Sequence, residues 1–523
     1  MFFRRLHLLA LCGLLAACGP QKPRAELILI QSAEPDAIDP ALAADQASLR
    51  IAFALFEGLC RYDADGLPEP GMAERWDVSP DAQTYTFHLR GGVKWTDGRP
   101  VTAQDFVRSW LRVLDPDTGS DYCNLLHVIR GAQAFTEGKN TDPASVGIRA
   151  LDARTLEVRL ENPTPYFIDL CAFSTFAPVP PDVLERHGTA WIKPANLVCN
   201  GSYTLEDWRI DDHIRLKRNP GYWDAANVPI GTIEVKPVPD ANTALNLFHA
   251  GQCDLIMDKG MVPASLAGAL KKQPWFHTAP LLGTWFIRFN TTRAPFTDAR
   301  VRQAFALAVD KRRIVQDITQ LGETAADSLT PPGTGHGYVP PPGLAHDVAR
   351  ARQLLAEAGF PDGKGFPLVE YLYIPQPVER SIAVELQAIW QKNLGVTVNL
   401  KTQEQKIWLS SMRQLDYDLC RSSWVGDYND PGTFLDLFLS ESGTNYTGWK
   451  NADYDALRAA AAREPDEAKR NAHFARAEQL LIREHTAILP VYFYVGIHFY
   501  RDRLTGIHPN LIDDHPFRCM RWR

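Results

Sequence analysis

The strongest constraint on the fold is a helix, a stop and a strand in immediate succession between Ile382 and Leu400. Ile382, Leu386 and Ile389 share one face at helical spacing. Gly395 supplies the backbone that ends a helix, and Val396, Val398 and Leu400 then alternate as a half-buried strand does. Such units build a sheet flanked by helices. The pattern is not isolated. The spacing predicts a strand over 284–290, a helix opened by Thr297 and Asp298 with Val301, Phe305 and Ala308 on one face, and two helices between Tyr454 and His485. A further strand is expected over 488–495, followed by a crossover into 496–523. Towards the start, a strand is expected over 27–31, a helix over 51–59 and another strand over 84–89. Thr102 with Asp105 three residues on reads as the capping start of a further helix.

The chain begins with an address. Arg4 and Arg5 precede an apolar run from Leu6 to Ala17, too short for a membrane span of roughly 20 residues and suited to a secretion signal. The run ends Leu15-Ala16-Ala17-Cys18-Gly19, which looks like a bacterial lipobox. Residues 1–17 are therefore expected to be removed, Cys18 to carry the lipid anchor to the membrane, and 18–25 to act as a tether. The protein is expected in the periplasm or cell envelope. A formal net charge of -7 with no basic block disfavours nucleic acid as a partner.

Besides Cys12 and Cys18, seven cysteines remain: Cys60, Cys123, Cys171, Cys199, Cys253, Cys420 and Cys519. Their spacing forms neither a scaffold nor a CxxC pair, so buried thiols with one bridge are the expectation. No metal or cofactor is expected, because the scattered histidines show no ligand spacing; His485, His508 and His515 read as surface or satisfied groups. HExxH, GxSxG and Walker A motifs are all missing, which argues against a peptidase and against an ATPase within this chain.

The segment Tyr417 to Pro431 places Arg421, Trp424 and Asp427 beside a Tyr-Asn-Asp-Pro turn. A carboxylate can hold an ammonium and a guanidinium can hold a carboxylate, so the pair suits a zwitterion; a structural ion pair is the plainer reading of the same residues. Val93 through Trp110, Asn200-Gly201-Ser202-Tyr203 and Arg218-Asn219-Pro220-Gly221-Tyr222-Trp223-Asp224 stand in the same chain. Taken together, these blocks are similar to those of the bacterial oligopeptide-binding proteins, extracellular solute-binding receptors of ABC-type peptide importers. In the turn blocks, Gly201 and Gly221 are expected to supply special backbone angles.

That resemblance runs from about Leu27 to the C-terminus. It implies an α/β fold of two lobes, the class II, cluster C type of periplasmic-binding-protein architecture, with an extra inserted domain. Lobe I maps to 26–57, 178–282 and 496–523, the insertion to 58–177 and lobe II to 283–495. It also implies a monomeric, non-enzymatic receptor that closes its lobes on a peptide and delivers it to separate permease subunits. Asp427 would hold the peptide's amine and Arg421 its carboxylate, while Trp424, Tyr122 and Tyr494 would line pockets. Thr319 and Glu379 stand where relatives carry basic groups for other peptide lengths, so peptides of about three residues are expected to be preferred. Glu379 is read either as a surface group at a helix start or as an attractor for a basic side chain, as in a murein peptide. Gly283 and Val425 stand where some relatives have a disulfide, so the binding loop is expected to be held by packing alone. Dipeptide, murein-peptide and non-transport sensing or chaperone roles remain alternatives. Nickel or sugar binding fits Asp427 less well, since neither offers an amine.

Overall fold

The computed structural model describes residues 23–335 and 337–523; the export segment, Cys18 and the start of the tether lie outside the described residues. The molecule is organised by an 11-stranded sheet. Starting from one edge, its strands are Val398–Thr402, Val369–Tyr373, Leu419–Val425, Phe276–Phe289, Ile488–Tyr500, Leu255–Met257, Leu27–Gln31, Thr232–Pro237, His213–Arg218 and Tyr203–Arg209, and the short Thr324–Ala325 pairs with Ile488–Tyr500 off this path. The edge strands at 369–402 run parallel, as the helix-stop-strand pattern requires.

The two central strands are longer than their sequence suggests. The strand expected over 284–290 begins at Phe276, and the one expected over 488–495 continues to Tyr500. The crossing between lobes is thus made inside paired strands rather than after them. They pair antiparallel throughout, with two register shifts: Pro280 faces Val495 and Thr284 faces Phe493, so residues 281–283 bulge opposite Tyr494, and Trp285 faces Tyr492 while Phe286 faces Pro490, which leaves Val491 as an extra residue on the other strand. The lobes therefore share one backbone ladder, interrupted at these two bulges.

Local signals hold where they act over a few residues. The helix Pro377–Leu394 ends at Gly395, whose φ of 73° is the left-handed conformation. Helix Ala103–Leu114 starts at Thr102, whose backbone N–H donates to Asp105 Oδ2 at 2.8 Å. Helix Ala299–Leu307 is capped by Asp298 rather than Thr297. The helix expected over 51–59 instead runs Gln46–Leu55, because Asp45 caps its first turn.

A separate four-stranded sheet, Ala73–Val78, Thr84–Leu89, Thr155–Arg159 and Ile148–Asp152, lies within the stretch read as an insertion. Its core merges with that of the first lobe: Phe87, Trp110 and Phe167 belong to the same buried cluster as Leu29, Ile214 and Val235. The second lobe packs its sheet on both faces, Trp285, Ile287 and Trp390 on one side and Phe286, Phe434 and Ile488 on the other. Among the described residues no helix is long and apolar enough to cross a membrane. All seven cysteines from Cys60 to Cys519 are free, so the single expected bridge is not formed; five are buried.

Gly201 corrects a second expectation. Neither it nor Gly221 has a positive φ. Gly201 instead lets two chain segments meet, since a Cβ there would lie 2.5 Å from the Leu55 backbone carbon. Gly201→Ala is expected to lower unfolding stability by about 1–3 kcal/mol through overpacking, measured by denaturant titration, whereas Gly221→Ala changes it little.

Candidate functional site

Strand Leu419–Val425 pairs with the first crossing strand, and Gly283 faces Val425 in that register. The chain then leaves the sheet as the loop carrying Asp427. Gly426 N–H donates to the Leu282 carbonyl at 2.7 Å, which ties the loop to the bulge between lobes. Thr433 Oγ1 accepts from Asp427 N–H at 3.1 Å and from Trp424 Nε1 at 3.3 Å. Asp430, three residues on, is buried and paired through both oxygens with buried Arg470, at 2.6 and 3.0 Å. The expectation that packing alone holds this loop is therefore corrected: backbone hydrogen bonds and a two-pronged buried ion pair hold it.

Asp427 faces a cavity of about 350 Å³ between the lobes, lined also by Tyr62, Tyr122, Phe173, Leu282 and Asp514. Its carboxylate has no hydrogen-bond or ion-pair partner among the described residues, and burial alone pushes its pKa up to about 6. Tyr122 feels that carboxylate: burial first and Asp427 second push its hydroxyl up to about 12. Two predicted site residues, Asp427 and Tyr122, thus meet in one cavity. Its wall also has Asp513 and Asp514, against Arg50 as the one arginine, so the lining is acidic.

The other predicted residues lie elsewhere. Arg421 is not a free cation. Its Nε donates to Glu379 Oε1 at 2.8 Å, and Trp285 Nε1 donates to the same oxygen at 3.1 Å. Glu379 is buried, not a surface group at a helix start, and the low-dielectric surroundings that would penalise a lone carboxylate favour its pairing with Arg421. Its other oxygen, Oε2, is buried without a partner. Tyr494 sits beside this ion pair, with the Lys259 ammonium 5.0 Å from its ring centre. Trp424 packs on the second-lobe core. None of Arg421, Glu379, Trp424 and Tyr494 lines the Asp427 cavity. Thr319 donates to Glu323 Oε2 at 3.0 Å, and Glu323 Oε1 accepts from Lys259 at 2.7 Å, an ion pair between the lobes.

Next to that cavity stands a pair of tyrosines, of which Tyr428 lines it and Tyr166 lines a neighbouring one. Tyr166 of the insertion stacks on Tyr428 beside Asp427, ring centres 4.4 Å apart and planes 8° from parallel. They are 262 positions apart in the chain and carry no joint sequence signal. The histidines divide likewise: His508 is exposed and meets Asp65 Oδ1 at 2.8 Å, His485 Nε2 meets Asn451 at 3.1 Å, but His515 is buried beside Asp513 and His498.

This frame has known counterparts. Residues 68–446 match the model described as bacterial extracellular solute-binding proteins, family 5 Middle. The chain is 38% identical over 482 residues to the periplasmic oligopeptide-binding protein OppA of Escherichia coli K12, covering 90% of this chain and 87% of that protein. It is also 37% identical over 471 residues to the probable deoxycholate-binding periplasmic protein YgiS of the same organism, covering 88% and 86%. Among solved structures, the unliganded open form of the murein tripeptide binding protein MppA superimposes with a TM-score of 0.83 at 34% identity, covering 96% of this chain and 98% of that one. The chain belongs to family 5 of the bacterial extracellular solute-binding proteins.

Two substitutions test the electrostatics without ligand. Because burial raises Asp427 above its unfolded pKa, its ionisation opposes folding increasingly as pH rises from about 4 through 6. Asp427→Asn should therefore stabilise the unliganded protein by about 2 kcal/mol at pH 7.5, with the gain gone below about pH 4. Arg421→Ala should do the opposite, costing about 3 kcal/mol by stranding Glu379 in the interior; denaturant midpoints at several pH values check both.

Proposed function

We propose that this protein is an extracytoplasmic receptor that captures short peptides between its lobes and hands them to a separate ABC importer. Cys18 would carry the lipid that keeps it at the membrane. The observation that carries the reading is the Asp427 carboxylate, on a cavity wall and without a partner among the described residues. Leaving a charge unpaired at such a place costs stability, and a peptide's ammonium meets it. Two of the relatives, an oligopeptide-binding protein and a murein tripeptide binding protein, support the same class of ligand.

The peptide backbone would add to the exposed edges around the cavity as an extra strand, which gives affinity without reading side chains. Bonds that form when both lobes touch the peptide favour the closed state, the form a permease can recognise. A preference for about three residues rests on Arg421 as the far anchor. A ligand carboxylate reaching Arg421 must share it with Glu379, which weakens that anchor. The acidic lining around Asp427 supports a second reading, a murein peptide whose extra amine is also met by carboxylates.

Isothermal titration of the protein lacking residues 1–18, freed of ligand by unfolding and refolding, tests this. A mixed-sequence tripeptide should bind and its N-acetylated twin should not. Asp427→Asn should abolish the difference, and affinity should fall about tenfold per pH unit below about 6 as the carboxylate protonates. Glu379→Gln should tighten tripeptide binding by freeing Arg421. Equal binding of both peptides, or binding of deoxycholate in their place, overturns the reading.

A further inference from the structure

We propose that His498, Asp513 and His515 form a binding site for a divalent transition-metal ion, opening onto the Asp427 cavity. The three lie on two separate pieces of chain. His498 is on the first-lobe half of the second crossing strand, and Asp513 and His515 are on the C-terminal segment that passes over it. Their ligand atoms all lie within 4.8 Å of one another. His498 Nε2 is 2.9 Å and His515 Nε2 3.3 Å from the same oxygen, Asp513 Oδ1. The two rings meet edge to face, 4.6 Å between centres. Both histidines are 3% exposed.

Two further features separate this cluster from a chance contact. His498 Nε2 is buried and has no hydrogen-bond partner: it approaches the Asp513 oxygen without the direction of a donated bond. Buried ring nitrogens are normally well satisfied, whereas this one has only the misaligned approach to Asp513. The Asp513 carboxylate is also specifically accommodated. It occupies the space where a side chain at position 496 would stand, so Gly496 is what admits it, and Asp513 itself adopts the left-handed φ of 54° to reach that place.

The donor set fixes the class of ion. Two imidazole nitrogens and one carboxylate oxygen suit zinc, nickel, copper or iron; calcium and magnesium prefer all-oxygen shells. Three protein ligands leave a coordination position free, as in sites that exchange a water or a ligand. Asp513 and His515 line the cavity that Asp427 lines, so the free position faces the space between the lobes. Arg50 lies near Asp513 and opposes a cation there, but Asp45, Asp258 and Asp514 surround Arg50 and offset it. The plainer alternative is a hydrogen-bonded His-Asp-His knot that only pins the C-terminal segment to the strand.

Equilibrium dialysis of the chelator-stripped protein against Zn²⁺, with metal read by mass spectrometry, distinguishes the two. One equivalent is expected to bind. Asp513→Asn, His515→Gln and His498→Gln should each weaken binding at least tenfold while circular dichroism and metal-free melting stay close to those of the parent. Loading with Co²⁺ should give the visible bands of a nitrogen-oxygen site and paramagnetically shifted ring signals from two histidines in the unmutated protein, which needs no variant to fold. Absence of stoichiometric binding, equal binding by all three variants, or a thiolate charge-transfer band from the free cysteines overturns the proposal.

Discussion

Everything in this molecule hangs on the backbone ladder between residues 276–289 and 488–500. A pair of strands resists stretching and shear but bends readily where its register breaks, and one of the two breaks here is the bulge at 281–283. The Asp427 loop is fastened at that spot, through Gly283 facing Val425 and through the bond from Gly426 to Leu282. Bending the ladder therefore moves the Asp427 loop with it, so the element that joins the lobes also aims the Asp427 carboxylate into the cavity.

The ionic groups around the loop fall into two kinds. Arg421 with Glu379, Arg470 with Asp430 and Lys259 with Glu323 are matched by partners in the fold. Buried pairs of this sort hold geometry rather than add much stability, because desolvation offsets most of the attraction. Asp427 has no such match, and its surroundings raise its pKa instead of lowering it. Perturbed and unmatched groups in a cleft mark places where something else is expected to bind. The contrast among neighbouring carboxylates is more informative than any one of them.

What could be read from residue order alone was whatever acts over a few positions. Gly395 as a helix stop, Asp298 and Thr102 as starts, and the alternation at 396–400 all announce themselves locally. The Asp427 loop was legible through its motif. Glu379 was misread because its partner is 42 residues away on another element, and a helix-start Glu gives no hint of burial. His498, Asp513 and His515 fit no spacing rule because a strand and a returning tail bring them together. The full extent of the crossing strands was hidden for a related reason. Their continuation past 495 and before 284 is set by the partner strand, not by their own alternation.

The first lobe's sheet contains residues 27–31 and 255–257, yet the latter strand finds its outer neighbour in residues 498–500. A ribosome releases those residues late. Until then the first lobe lacks a strand and the crossing ladder has one rail, although the four-stranded sheet within 73–159 already has all its strands. With pairings this distant in sequence, the ladder that joins the lobes forms slowly and only once residues 488–500 are present. In a chain built this way the joint between the lobes becomes rigid late, after most of both lobes has been made.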